Sequence, residues 1–122
     1  MNKIIVCFLL FGTLTLADYE DHPFGIMEKR IEKKFQSQNI IDDKEFEIDY
    51  DVDIYRNQMN FEIEIEGVKE PRLDIPKIVE KILVLTSNEA PDVTEVYIVI
   101  SYDPEEGREK LLYSETHFLK NK

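Results

Sequence analysis

Cysteine, tryptophan, glycine and positive charge are all scarce in this chain. Its 122 residues include one cysteine, no tryptophan, four glycines and two histidines. Cys7 lies inside an N-terminal apolar run, so the rest of the chain can build neither a disulfide nor a thiolate metal site. So few glycines leave no phosphate-cradling loop and no glycine-framed elbow around Ser87, Ser101 or Ser114, which argues against nucleotide binding and serine-nucleophile chemistry. His22 and His117 show no ligand spacing and read as surface or rim histidines. Lysine and arginine number 15 against 26 acids, a formal charge of −11. Phosphate backbones and anionic membrane surfaces would be repelled by that charge, so neither nucleic acid nor membrane is an expected partner. After the N-terminal run, no apolar stretch is long enough to cross a bilayer.

The N-terminal run is itself informative. Lys3 precedes an unbroken apolar run from Ile4 to Phe11, and Thr15-Leu16-Ala17 supplies small residues where a signal peptidase reads. Residues 1–17 therefore read as a secretory signal peptide, and residues 18–122 as a single exported domain, periplasmic or extracellular. Cleavage removes Lys3 and no acid, leaving 14 basic against 26 acidic side chains, a formal charge of −12. Without cysteine, the mature chain must be held by its core alone.

The stretch that organises the chain is 45–66. Glu45-Phe46-Glu47-Ile48-Asp49-Tyr50-Asp51-Val52-Asp53-Ile54 alternates acid and apolar without a break, and Phe61-Glu62-Ile63-Glu64-Ile65-Glu66 repeats the pattern. Successive strand side chains face opposite ways, so this is a β-hairpin with one apolar and one carboxylate face. Its reversal near Arg56-Asn57-Gln58-Met59 lacks an Asn-Gly or Asp-Gly pair, which predicts a loop of three or more residues.

Two helices are expected to cover the apolar face. The first starts at Asp21 and Pro23, carries Met27, Ile31 and Phe35 at four-residue spacing, and runs to about Gln38. The second is capped by Asp74, tolerates Pro76 in its first turn, and presents Ile75, Ile78, Val79, Ile82, Leu83 and Thr86 on one face. A loop over 88–92 leads to a third strand, 95–102, with Val96, Ile98, Ile100 and Tyr102 facing the core. The turn at 103–107 leads to a fourth strand over about 109–118. This αββαββ order predicts an α+β two-layer sandwich, a four-stranded antiparallel sheet with both helices on one face. The αββ halves, about 21–67 and 73–119, repeat at an offset near 50, the pattern of an internal duplication. Helix-then-hairpin units of this kind resemble small exported propeptide and inhibitor modules such as PepSY-like domains, a likeness of architecture without a shared motif.

The outer sheet face carries the candidate site: Glu47, Asp49, Asp51, Asp53, Glu62, Glu64 and Glu66, with Tyr97 and Val99 from the third strand. Leu111 and Tyr113 are expected to share that side from the fourth. A run of acids at period two reads first as a solvated face that keeps sheets apart, and second as a docking surface. Asp49-x-Asp51-x-Asp53 opens like an EF-hand loop. Ile54 and Asn60 stand where that loop needs its glycine and its bidentate acid, so no dedicated metal site is expected. No cofactor is expected either. The resulting expectation is a non-enzymatic binding module of inhibitor, adaptor or chaperone-like kind. Its partner would be another protein, a cationic one, and a homodimer through strands three and four is a further option. The alternatives are a divalent-cation binder of the envelope and a carboxylate-dependent hydrolase. Three or more carboxyl oxygens converging on one point would mark the first, and an enclosed cleft with two acids the second.

Overall fold

The structure is a computed structural model that describes residues 23–41 and 44–119. The expected signal peptide and its cleavage site, the Asp21 helix start and His22 lie outside these residues. Helix α1 spans Pro23–Ser37, strand β1 Glu47–Tyr55, strand β2 Gln58–Gly67, helix α2 Ile75–Glu89, strand β3 Glu95–Pro104 and strand β4 Lys110–Phe118.

In α1, four-residue spacing sends Ile31 and Phe35 into the core, with Met27 packed at its margin. The helix ends where Asn39 adopts a left-handed φ of 52°. Asp74 accepts the Lys77 amide at 3.3 Å, and α2 runs two residues past its expected end, to Glu89, because the Ala90 amide still reaches the Thr86 carbonyl at 2.8 Å.

The sheet has the order β1-β2-β3-β4. Both hairpin pairs are antiparallel, as the alternating segments imply, but the central β2–β3 pair is parallel, so the sheet is mixed rather than antiparallel throughout. The cause lies in the connection. Antiparallel neighbours join through a short turn, whereas α2 lies between β2 and β3, and a strand that returns after a crossover helix runs in its first direction. The β1–β2 reversal is also tighter than the sequence implies. Tyr55 pairs with Gln58 across a two-residue turn, and Arg56 takes a positive φ of 58° in place of the usual glycine. The Asn57 carbonyl then accepts the Thr94 amide at 2.8 Å, tying this turn to the entry of β3.

Val52, Ile54, Phe61, Ile63, Ile65, Val96, Ile98 and Ile100 form the buried inner face of the sheet, with Ile31, Phe35, Ile78, Ile82 and Leu85 from the helices above it. Phe35 sits edge-on to both Phe61 and Tyr50, at centroid distances of 5.1 and 5.4 Å. At the far end, Gly67 permits a close approach of the Phe46 ring, whose Cδ1 would lie 2.5 Å from any Cβ placed there. Among the described residues, no helix is long and apolar enough to cross a membrane.

Candidate functional site

Pairing converts the sequence alternation into rows. Glu47 stands opposite Glu66, Asp49 opposite Glu64, Asp51 opposite Glu62 and Asp53 opposite Asn60. The parallel register continues the rows onto β3, placing Tyr97 beside Asn60, Val99 beside Glu62, Ser101 beside Glu64 and Asp103 beside Glu66. The seven acids, Tyr97 and Val99 therefore share the outer face, as expected from the alternation. Three cross-strand pairs oppose like charges directly, an arrangement that destabilises a sheet. Among the described residues, ion pairs join Lys29 to Glu32, Arg30 and Lys34 to Glu89, Lys69 to Glu45, and Lys110 to Glu70. None reaches the seven acids.

Two of the acids, Glu64 and Glu66, have carboxyls raised above the usual carboxylate value. Burial raises the Glu64 carboxyl above the usual carboxylate value, and Glu109, Glu66, Asp103 and Asp49 push it further the same way. Glu66 is raised as well, first by desolvation and then by Glu47, Asp103 and Asp49. Charge is thus concentrated at one end of the face, where Asp103 and Glu109 join the hairpin acids. At the other end the rows run into neutral Asn60, Tyr97 and Thr116. There the Tyr97 hydroxyl and Ser114 Oγ share a 2.6 Å hydrogen bond across the β3–β4 pair.

Tyr113 is not on this face. The register shifts between Ile100 and Ser101, which pair with Tyr113 and Leu111, so Leu112 is an extra residue on β4. A bulge of this kind breaks the two-residue alternation. It leaves Leu111 outside, 61 % exposed, and turns Tyr113 towards α2. Tyr113 Oη there lies 2.7 Å from His117 Nε2, and the two rings stack. With Ile75, Val79 and Leu83 of α2 they line an apolar groove of about 520 Å³. Nothing in the local sequence of β4 marks the bulge.

Two further acids with a structural role are Glu28 and Glu32. They lie four apart on α1, so both project towards the same flank. Glu28 Oε2 accepts the Ile54 amide at 2.6 Å, and Glu32 Oε2 accepts the Val52 amide at 2.8 Å. These N–H groups belong to the outer edge of β1, which the helix therefore caps. A pair of acids at helical spacing within an otherwise basic helix is the only sequence signal for this arrangement.

Compared with known proteins, the chain matches no protein-family model, no curated protein and no solved structure.

Proposed function

We propose that the protein is a small exported, non-enzymatic interaction module that docks a cationic protein partner on the outer face of its sheet. The observation that carries this reading is the set of directly opposed pairs Glu47–Glu66, Asp49–Glu64 and Asp51–Glu62, none of which meets an internal cation among the described residues. Solubility alone is met by scattered charge and does not need like charges stacked across a strand pair. A cationic partner relieves this repulsion on binding and is steered to the face over long range. Tyr97 and Val99, beside the acids, add an aromatic and apolar contact of the kind that contributes most to interface energy. The acids stand in open rows along strands, which favours recognition over acid–base catalysis, where enclosure separates the pKa values of two carboxyls.

Capture experiments with the wild-type protein and two variants as baits test the reading. In one bait Asp49, Asp51, Glu62 and Glu64 are changed to asparagine or glutamine, keeping shape and removing charge. It should fold at least as well as the wild type and lose a basic partner that the wild type retains. The wild-type association rate should fall about tenfold or more from low to physiological salt. Tyr97→Ser should weaken the same complex with little salt dependence. Equal retention of the partner by wild type and both variants would remove the outer face from consideration. Export is checked separately, by N-terminal sequencing of protein recovered outside the cytoplasm, which should begin at Asp18.

A further inference from the structure

The rows have a consequence at their crowded end that does not depend on a protein partner. Asp49 and Glu64 face each other across β1–β2, and Glu66 follows two residues later on the same face as Glu64. One carboxylate oxygen from each of these three residues lies within 4.8 Å of the others. A calcium ion holds its oxygens at about 2.3–2.6 Å, so two ligands of one ion stand at most about 5 Å apart. The three oxygens therefore fall within the reach of a single calcium-sized ion.

A second observation, independent of the carboxylates, comes from β3. Ser101 is buried, at 5 % relative exposure, and among the described residues its Oγ has no hydrogen-bond partner. Residues paired in register project from the same face of a sheet, so Ser101 stands in the row of Asp49 and Glu64, directly beside Glu64. A buried hydroxyl without a partner costs free energy, and a bound ion is one of the few arrangements that compensates it. Hydroxyl and carboxylate oxygens are the hard donors that calcium takes. In the next row Asp103 stands beside Glu66 and adds negative charge near these carboxylates.

We infer that Asp49, Glu64, Glu66 and Ser101 form a binding site for a divalent cation of the calcium class on the outer face of the sheet, with water completing the coordination. The ligand set shares only Asp49 with the Asp49-x-Asp51-x-Asp53 run, whose members lie along one strand. It is assembled across three strands by their register. With ligands on strands rather than in a loop that wraps the ion, affinity should fall in the weak range of extracellular calcium modules, a Kd of about 10⁻⁴ to 10⁻³ M.

Calorimetric titration of the protein with calcium chloride, at constant ionic strength near 0.15 M, tests the site. One ion per chain should bind, with saturation below 10 mM, a concentration about tenfold above the weak end of that range. Glu64→Gln should weaken binding at least tenfold. Asp53→Asn removes the same single charge two rows away and should change the Kd less than about twofold, since salt screens charges beyond about 8 Å. Ser101→Ala, which removes an oxygen and no charge, should weaken binding several-fold. Both acid variants relieve repulsion and should stay folded, and circular dichroism verifies this for each. Absence of saturation by 10 mM would overturn the proposal. Equal weakening in Glu64→Gln and Asp53→Asn would do the same, because it would mean a diffuse ion atmosphere. Full affinity in Ser101→Ala would overturn the four-residue assignment.

Discussion

Glu28 lies under the edge of β1 with one oxygen 2.6 Å from the Ile54 amide, and it is 9 % exposed. Burial raises its carboxyl above the usual value. The Ile54 hydrogen bond opposes that shift, while Asp53, Glu32 and Asp51 add to it. A carboxyl with a raised folded-state pKa binds its proton more tightly when folded. Its favourable contribution is therefore complete below the unfolded pKa and is lost as pH rises through the folded value. Glu28→Gln keeps an acceptor for the amide and removes the titration. Its melting temperature should match the wild type in mild acid and exceed it near neutrality. Glu28→Ala instead leaves the Ile54 amide unpaired and should cost about 1–3 kcal/mol. Thermal melts of the three proteins between pH 4 and 8 check both outcomes, and parallel curves for wild type and Glu28→Gln would contradict the assignment.

At the scale of elements, α1 and α2 are the same length but do different work. α2 is the crossover that makes β2 and β3 parallel, so it lies within the chain path between central strands. By contrast α1 precedes the sheet and is held by side chains: Phe35 against Phe61 and Tyr50, the two glutamates on the β1 edge, and Lys34 to Glu89 of α2 at 2.8 Å. The exposed ion pair contributes little, and Phe35 contributes most. Phe35→Ala should destabilise the protein by about 3–5 kcal/mol. Because α1 covers an edge, hydrogen exchange in that variant should speed up first in α1 and at the Val52 and Ile54 amides, ahead of β3. Uniform acceleration through all four strands would show that α1 does not open by itself.

Taken whole, the molecule has a strongly acidic outer sheet face and a helix layer whose first helix is basic. A formal charge of −11 with three directly opposed acid pairs implies self-repulsion in the folded state. Monovalent salt should raise the melting temperature in the absence of divalent ions, because repulsion on an exposed face is screened within a Debye length of about 8 Å at physiological strength. The variant with Asp49, Asp51, Glu62 and Glu64 neutralised should melt higher than the wild type at low salt, and the gap should close as salt is added. Melts with chelator at low and at 0.5 M sodium chloride measure this directly. No difference between the proteins at low salt would mean that the rows carry no strain.

Local chemistry determined much of this on its own. Period-two alternation fixed which faces of 45–66 are apolar and acidic, and four-residue spacing picked out Ile31 and Phe35. Asp74 marked the start of α2, and the αββαββ order follows from the elements in turn. Each is a property of neighbours within a few residues, and so is legible along the chain. Register, direction and bulges depend on which strands meet, and tertiary structure alone decided them. It made the central pair parallel, inserted Leu112 and so carried Tyr113 to the helix face, and set Glu28 and Glu32 on an edge. It also brought Ser101 and Glu66 to Asp49 and Glu64. Such convergence arises from pairings between residues far apart in sequence, and no spacing rule along one strand encodes it.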